Sequence, residues 1–132
     1  MTEITRIGPV EAWESIQRDP RSLLLDVRDP LEFAFVGHPV GAVNIPWKTA
    51  PDWAPNTHFL DDVRCVAVEF DRPILVMCRS GQRSMDAARA LLAAGYRNLA
   101  NIDEGFEGPL DPAKHRGTVG GWRFRGLPWE QS

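Results

Sequence analysis

The sequence predicts an α/β fold in which a parallel sheet is flanked by helices on both faces and followed by an irregular tail. Short apolar runs typical of strands alternate along the chain with helical patterns, and this alternation implies a parallel sheet wrapped by helices. The run Ile74–Met77 is apolar throughout, as expected of a strand covered on both faces. Residues 109–132 are rich in glycine, proline and tryptophan, which excludes a regular helix or a central strand there.

The first half of the chain alternates short strand-like and helical segments. Gly8 and Pro9 open a helix, because proline is tolerated at the first helical position. The apolar run at residues 23–25 ends at Asp26 and is typical of a buried strand. The expected elements are, in order, a strand at 4–6, a helix at 9–17, a strand at 23–25, one or two helical turns at 30–36 and a strand at 42–45.

The second half continues the same alternation. Asn56 or Thr57 can cap a helix that runs to about Val68. Its apolar stripe consists of Phe59, Val63, Val66 and Phe70. After the strand Ile74–Met77, a further helix begins near Ser84 and ends at Gly95. Its stripe consists of Met85, Ala88, Leu91 and Leu92. A last strand is expected at residues 96–102.

The chain has 132 residues, which fits one domain of ordinary size. We expect a single domain over residues 1–132, with a core at about 4–108 and a tail at about 109–132. Trp122 and Trp129 lie in the tail, and two indole rings are too much apolar surface to leave in water. The tail is therefore expected to dock on the core, with one of these side chains as its anchor.

Charge and composition narrow the classes of function. The formal net charge is −3, with 18 acidic and 15 basic residues and no compact basic block, which argues against nucleic acid as the main partner. The longest apolar runs have five residues, whereas a membrane span needs about 20, so no membrane partner is expected. The beginning of the chain has no apolar stretch typical of a secretory signal, so a cytoplasmic location is expected.

Two cysteines and three histidines are the residues most suited to disulfide or metal chemistry. In the reducing compartment expected here, a structural disulfide between Cys65 and Cys78 is not expected. The histidines, His38, His58 and His115, make no zinc-ligand spacing with the cysteines. The sequence therefore predicts neither a metal site nor a cofactor.

The most informative segment is the loop at residues 78–84, which reads Cys-Arg-Ser-Gly-Gln-Arg-Ser. It lies between a predicted strand and a predicted helix, and in an open parallel sheet ligands bind at the carboxyl ends of the strands. Short polar residues and Gly81 allow the loop to curl so that its backbone amides face one anion. The helix N-terminus, Arg79 and Arg83 add positive charge. Together they favour a thiolate at Cys78 and an anionic substrate beside it.

The two cysteines differ in their predicted surroundings. A free cysteine is often only a small core residue, and Cys65, between Val63 and Val66 on a predicted helix, fits that description. Cys78 fits it poorly, because two arginines, Arg79 and Arg83, are not expected beside a thiol that lies in an apolar pocket. We therefore expect Cys78 to be the reactive thiol and Cys65 to be an inert, buried one.

Two motifs carry a resemblance to a known family. The first reads Leu-Leu-Asp-Val-Arg-Asp-Pro-Leu-Glu-Phe at residues 24–33 and continues through Gly37-His38 and residues 41–46; the second is the loop at 78–84. With these motifs in this order, the chain resembles the single-domain rhodaneses, which are persulfide-forming sulfurtransferases. The resemblance covers about residues 4–108, and the tail looks like that of one subgroup of bacterial rhodanese-like proteins.

The resemblance implies a thiosulfate sulfurtransferase that carries a sulfane sulfur as a persulfide on Cys78. The Cys78 thiolate attacks the outer sulfur of thiosulfate or a related anionic donor, and sulfite leaves. A thiol, cyanide or a protein sulfur carrier then accepts the sulfur. The donor anion is bound by the rest of the loop, which comprises Arg79, Ser80, Gly81, Gln82, Arg83 and Ser84.

Three further motif residues have weaker assignments. Asp26 and Arg28 follow a predicted strand to the same edge of the sheet, where they support the loop. The alternative is an ion pair between Arg28 and Glu32 on the following helical turns. His38 precedes Pro39 in a turn-like stretch and is expected to be structural.

Other classes of function compete with this interpretation. Cysteine phosphatases and arsenate reductases on a related scaffold need five residues between the cysteine and an arginine that grips phosphate through two N–H groups. Here Arg83 comes one residue early and Ser84 stands at the required position. A non-catalytic binding module on the same fold is expected to have lost the cysteine, which is present. A thioredoxin-like exchanger needs Cys-x-x-Cys, which the sequence lacks.

Overall fold

The computed structural model describes residues 3–132 of the chain. Its helices are α1 (Pro9–Arg18), α2 (Phe59–Val66) and α3 (Gln82–Ala93), with a π-helical turn at Glu32–Val36. Its strands are β1 (Ile4–Ile7), β2 (Leu23–Asp26), β3 (His38–Pro39), β4 (Val43–Asn44), β5 (Lys48–Thr49), β6 (Ala54–Pro55), β7 (Ile74–Met77), β8 (Leu99–Ile102) and β9 (Trp129–Glu130). Within this part of the chain, none of the helices has the length and apolar composition needed to cross a membrane.

The centre of the molecule is a five-stranded parallel sheet with the strand order β1-β8-β7-β2-β4. The apolar strand β7 lies in the middle, with Ile74 opposite Leu23 of β2 and Leu99 of β8. All four residues of β7 are buried, because helices cover both faces of the sheet. The predicted α/β class is confirmed.

Alternate side chains of the strands enter two separate apolar layers. On one face, Leu25 and Val76 pack with residues of α2 and α3, such as Val63 and Leu91. On the other face, residues of β2, β7 and β8 pack with α1 and with Trp122 of the tail. Because successive residues of a strand point to opposite faces, one short strand such as β7 supplies both layers.

Several predicted boundaries move by a few residues. The helix predicted from Asn56 or Thr57 begins at Phe59 and has no side-chain cap, because the Asn56 side chain instead accepts a hydrogen bond from the His58 amide and donates one to Pro46 O. Helix α3 begins at Gln82 and not near Ser84, because Gly81 takes a left-handed conformation and the helix starts directly after it. The last strand is shorter than predicted, and Tyr96 lies before it.

The expectation that Cys65 is buried is wrong. The buried stripe of α2 runs through Phe59 and Val63 and continues to Ala67, at a spacing of four residues. Cys65 therefore lies on the exposed side of the helix, and Val66 is 38% exposed. The prediction continued the stripe through Val66 and not through Ala67, and therefore assigned the wrong side of the helix to the core.

The tail follows an irregular path across the face that carries α1. Trp122 is fully buried, and its ring meets that of Trp13 edge-on at 5.9 Å between centroids. Its Nε1 donates a hydrogen bond of 2.8 Å to Pro128 O. Trp129 is 41% exposed and lies in β9, which pairs antiparallel with β3. The two tryptophans thus differ sharply in burial.

Candidate active site

The loop at residues 78–84 curls around the sulfur of Cys78. Cys78 directly follows β7, is 1% exposed, and its Sγ accepts a hydrogen bond of 3.1 Å from the Gly81 amide. Ser84 Oγ, in the first turn of α3, lies 3.3 Å from the same sulfur. Gly81 has φ of +119°, a conformation that a side chain disfavours, and this turn brings its amide back to the sulfur. An N–H donor at this distance favours negative charge on sulfur.

The loop rests on Asn101, the polar residue of β8. Ser84 Oγ donates to Asn101 Oδ1 at 2.5 Å, and Asn101 Nδ2 donates to Gly81 O at 3.3 Å and to Asp103 Oδ1 at 3.1 Å. Asn101 is therefore a site residue that the sequence reasoning missed. The available signal is its polarity within a strand whose neighbours are apolar, because a buried amide needs hydrogen-bond partners.

Residues 106–108 fix the first two peptide groups of the loop. The Phe106 amide donates to Cys78 O at 2.9 Å, and the amides of Glu107 and Gly108 both donate to Arg79 O, at 3.0 and 3.2 Å. In a planar trans peptide the N–H points opposite to the carbonyl. The amides of Arg79 and Ser80 are therefore directed away from residues 106–108, and this orientation is set before any ligand arrives.

The two arginines of the loop lie in different environments. Arg79 is exposed, whereas Arg83 forms two hydrogen bonds to the Glu32 carboxylate, Nη1 to Oε1 at 2.7 Å and Nη2 to Oε2 at 3.0 Å. Both side chains of this pair are 17% exposed, and the Arg83 guanidinium lies 5.1 Å from the ring centroid of Trp53. Arg83 is therefore a paired cation.

The ion pair also shifts the pKa of both groups. Burial alone lowers the pKa of the Arg83 guanidinium, but the hydrogen bonds and charge of Glu32 outweigh it and raise the pKa above its usual value, with further contributions from Cys78 and Asp26. Burial alone raises the pKa of the Glu32 carboxyl. The hydrogen bonds and charge of Arg83, together with the Asp29 amide, outweigh that effect and hold the pKa below its usual range. Both groups are charged at neutral pH.

A cavity of about 380 Å³ opens beside the loop. It is lined by Arg79 and Arg83 from the loop and by Lys48 and Trp53 from the hairpin formed by β5 and β6. We call the cavity lined by these four residues the entrance cavity. Lys48 and Trp53 were not predicted from the sequence. The strands of this hairpin have two residues each, which is too short for an alternating pattern that would indicate which side chains face the loop.

Asp26 and Arg28 form a fully buried ion pair. Arg28 Nε donates to Asp26 Oδ1 at 2.9 Å, and Nη2 donates to Oδ2 at 2.7 Å and to Gly37 O at 2.6 Å. The alternative pair of Arg28 with Glu32 is wrong, since Glu32 pairs with Arg83. The Arg28 guanidinium lies 4.6 Å from the ring centroid of Phe106, whose amide holds Cys78 O. The ion pair thus contacts the loop through one intermediate residue.

The remaining predicted residues also have defined positions. His38 is buried, with its ring stacked on Phe33 at 3.7 Å and its Nδ1 2.8 Å from Phe33 O. Gln82 is exposed and its side chain donates to Asp86, while Ser80 and Gly81 are partly buried. The loop residues therefore lie together around Cys78, and His38 lies in the packing of the π-helical turn.

Comparison with known proteins decides the family. The rhodanese-like domain family matches residues 9–109. The chain belongs to the rhodanese-like family. Thiosulfate sulfurtransferase GlpE of Haemophilus influenzae is 34% identical over 113 residues, which cover 81% of this chain and 94% of that protein. The same enzyme of Pseudomonas putida is 32% identical over 107 residues, covering 81% and 86%.

Solved structures agree with this rhodanese-like assignment. The crystal structure of Rv0390 from Mycobacterium tuberculosis matches with a TM-score of 0.87 and 39% identity, over 99% of this chain and 100% of that one. The polysulfide-sulfur transferase of Wolinella succinogenes has the same fold, with a TM-score of 0.67 and 20% identity over 98% of this chain and 80% of that one. This rhodanese-like chain is therefore related to sulfurtransferases over most of its length.

Proposed function

We propose that this protein is a thiosulfate sulfurtransferase that moves a sulfane sulfur from thiosulfate, or a related small anionic donor, to a thiol or to cyanide. The observation that carries the proposal is the hydrogen bond from the Gly81 amide to Cys78 Sγ. In the same loop, the carbonyls of Cys78 and Arg79 accept hydrogen bonds from residues 106–108, which fixes the direction of the amides that follow them. Such a preformed set of amides favours a thiolate and a bound anion without reorganisation during the reaction. The kinship with GlpE supports the same donor.

The proposed reaction has two displacement steps at sulfur. The Cys78 thiolate attacks the outer sulfur of thiosulfate, a new S–S bond forms, the donor S–S bond breaks, and sulfite leaves with the electron pair. An acceptor thiolate or cyanide then attacks the outer sulfur of the Cys78 persulfide. The persulfide S–S bond breaks and the Cys78 thiolate returns. Two such steps, each with a good leaving group, replace one difficult transfer.

The other loop residues have supporting roles in this proposal. The backbone amides from Arg79 to Ser84 and the Arg79 side chain bind the donor anion. Arg83 contributes its positive charge to the loop, because both of its Nη groups already bond to Glu32. Asp26 and Arg28 support the loop through Phe106, which stacks on the Arg28 guanidinium and holds Cys78 O. A small protein with an exposed sulfur carrier thiol is an acceptor of the same chemical class. We place the reaction in the cytoplasm, because an exposed free thiol such as Cys65 suits a reducing compartment.

The test is incubation of the protein with thiosulfate, followed by intact mass and a sulfite assay. We expect the mass of one added sulfur atom, one equivalent of sulfite, and removal of the sulfur by cyanide as thiocyanate. Cys78→Ala abolishes all three signals, and the matched control Cys65→Ala keeps them. A persulfide on Cys65, or turnover by Cys78→Ala, contradicts the proposal.

Labelling with iodoacetamide gives an independent readout. Because Cys65 is exposed, both cysteines are expected to react, and peptide mapping separates them. The terminal sulfur of a persulfide is also alkylated, so thiosulfate given beforehand is expected to make the Cys78 adduct one sulfur atom heavier and to leave the labelling of Cys65 unchanged. The same Cys78 adduct with and without thiosulfate, and no sulfite release, favour a non-catalytic binding module on this fold.

A further inference from the structure

Three cationic side chains line the entrance cavity, and one of them is already paired with a carboxylate. Lys48, Arg79 and Arg83 all line it, but Arg83 gives both Nη groups to Glu32. Within residues 3–132, Lys48 and Arg79 form no ion pair, and none of the residues that line the cavity is a carboxylate. The cavity therefore offers two free positive charges.

The backbone holds Lys48 in place at this cavity. The preceding residue, Trp47, donates its amide to Val27 O at 3.0 Å and accepts a hydrogen bond from the Asn56 amide at 2.9 Å. Its ring packs edge-on against Phe59 at 5.1 Å. Lys48 itself pairs with Pro55 across the hairpin and is partly buried. Its ammonium group is thus carried by a strand anchored to the core, which reduces the entropy lost when it contacts a ligand.

We propose that Lys48 is, with Arg79, one of the two cations that bind the donor, and that it sets a preference for doubly charged donors. This inference rests on the proposed function. Thiosulfate carries two negative charges, which match the two free cations, whereas a thiosulfonate carries one. Two opposite charges brought together in a partly desolvated cavity interact more strongly than in bulk water. Loss of Lys48 therefore weakens binding of the dianion more than binding of the monoanion.

The first experiment compares two sulfur donors, thiosulfate and methanethiosulfonate, by the rate of persulfide formation on Cys78. For Lys48→Gln we expect kcat/KM with thiosulfate to fall by about tenfold or more, mainly through KM, and kcat/KM with methanethiosulfonate to fall by less than about threefold. Lys48→Arg keeps the charge and restores the preference for thiosulfate. The matched control is Lys114→Gln, since Lys114 is the other lysine of the chain and lies exposed in the tail.

An equal loss with both donors, or no loss with either, overturns the proposal. So does an equal effect of Lys114→Gln, because net charge alone then explains the result. A second experiment separates this inference from the proposed function. Thiosulfate binding to Cys78→Ser, which cannot form the persulfide, is measured by calorimetry with and without Lys48→Gln. Weaker binding in the double variant supports the role of Lys48, and equal binding in both overturns it. No binding of thiosulfate to Cys78→Ser itself contradicts the proposed donor, and with it this inference.

Discussion

Gly105 lies so close to Cys78 that a Cβ atom on this glycine would stand 2.5 Å from the Cys78 carbonyl oxygen. Its φ of +64° is also disfavoured for other residues. The close approach lets the next residue, Phe106, donate its amide to the same oxygen. Gly105 thus allows residues 106–108 to fix the loop around the sulfur.

Gly105→Ala is expected to displace the loop and lower the rate of persulfide formation strongly, by about a hundredfold, since small misplacements of reacting groups have large effects. Gly126→Ala is the matched control, because Gly126 has a similar φ of +75° and a Cβ atom added there would meet no other atom within 4 Å. Both variants carry backbone strain, and only the first meets backbone atoms of the loop. Equal rates for the two variants, measured by sulfite release, would contradict this account.

Asp26→Asn leaves the Arg28 charge buried without its counterion. Removing one partner of a buried ion pair costs about 3–5 kcal/mol, so we expect a loss of that size in the free energy of unfolding. The control is Arg89→Gln, because the Arg89–Asp86 pair is exposed and such pairs contribute less than about 1 kcal/mol. Urea unfolding of both variants measures the difference, and similar losses would show that burial of the pair does not matter.

Glu32→Gln is expected to destabilise the protein at neutral pH by about 1–2 kcal/mol, because a neutral amide replaces a charged partner of Arg83. The pKa of Glu32 is lowered by folding, so the stabilisation is complete above its ordinary value of 4.5 and is lost as the pH falls below it. The difference in unfolding free energy between wild type and Glu32→Gln therefore shrinks in acid.

The measurement is urea unfolding at a series of pH values from neutral to below 4.5. Glu14→Gln serves as the control, since Glu14 is exposed on α1, and its unfolding free energy is expected to follow that of the wild type throughout. A difference between wild type and Glu32→Gln that stays constant in acid would show that the carboxylate charge is not its source.

We propose that residues 109–132 belong to the same domain as the core, with Trp122 as the anchor. Trp122→Ala is expected to lower the free energy of unfolding by about 3–5 kcal/mol, as for other large buried aromatic residues. Trp129→Ala, at a partly exposed site, is expected to cost less than half as much. Truncation after Gly108 should likewise lower the melting temperature clearly, and an unchanged Tm would make the tail a separate appendage.

The sequence predicted those parts of the molecule whose determinants are local. The apolar run of β7 and the glycine in the loop after Cys78 each follow from a few neighbouring residues, and together they locate the proposed nucleophile at the edge of the sheet. The predicted stripe of α3 was right for Ala88 and Leu91, which are buried, but not for Met85 and Leu92, which are only partly buried. The buried stripe of α2 was harder to predict, because Val66 and Ala67 both fit a helical period and only packing decides between them.

Pairings between distant parts of the chain were not predictable in this way. Glu32 and Arg83 are 51 residues apart, and neither motif indicates that Glu32 forms its ion pair with Arg83 and not with Arg28. Arg28 pairs with Asp26 because Asp26 ends β2, Arg28 follows two residues later, both side chains are buried, and a buried charge requires a counterion. Lys48 reaches the entrance cavity only because a hairpin returns it to the loop.

The direction of the sheet bears on how the protein can be attached to a surface. Cys78 and Asp26 lie at the carboxyl ends of their strands, whereas the turn at residues 19–22, between α1 and β2, lies at the opposite end. Arg21 in that turn is exposed, and its side chain donates a hydrogen bond to Asp71, another exposed residue. Immobilisation through this turn would leave the entrance cavity facing the solution, so that a tethered layer of the protein could be supplied with donor and acceptor from the liquid above it.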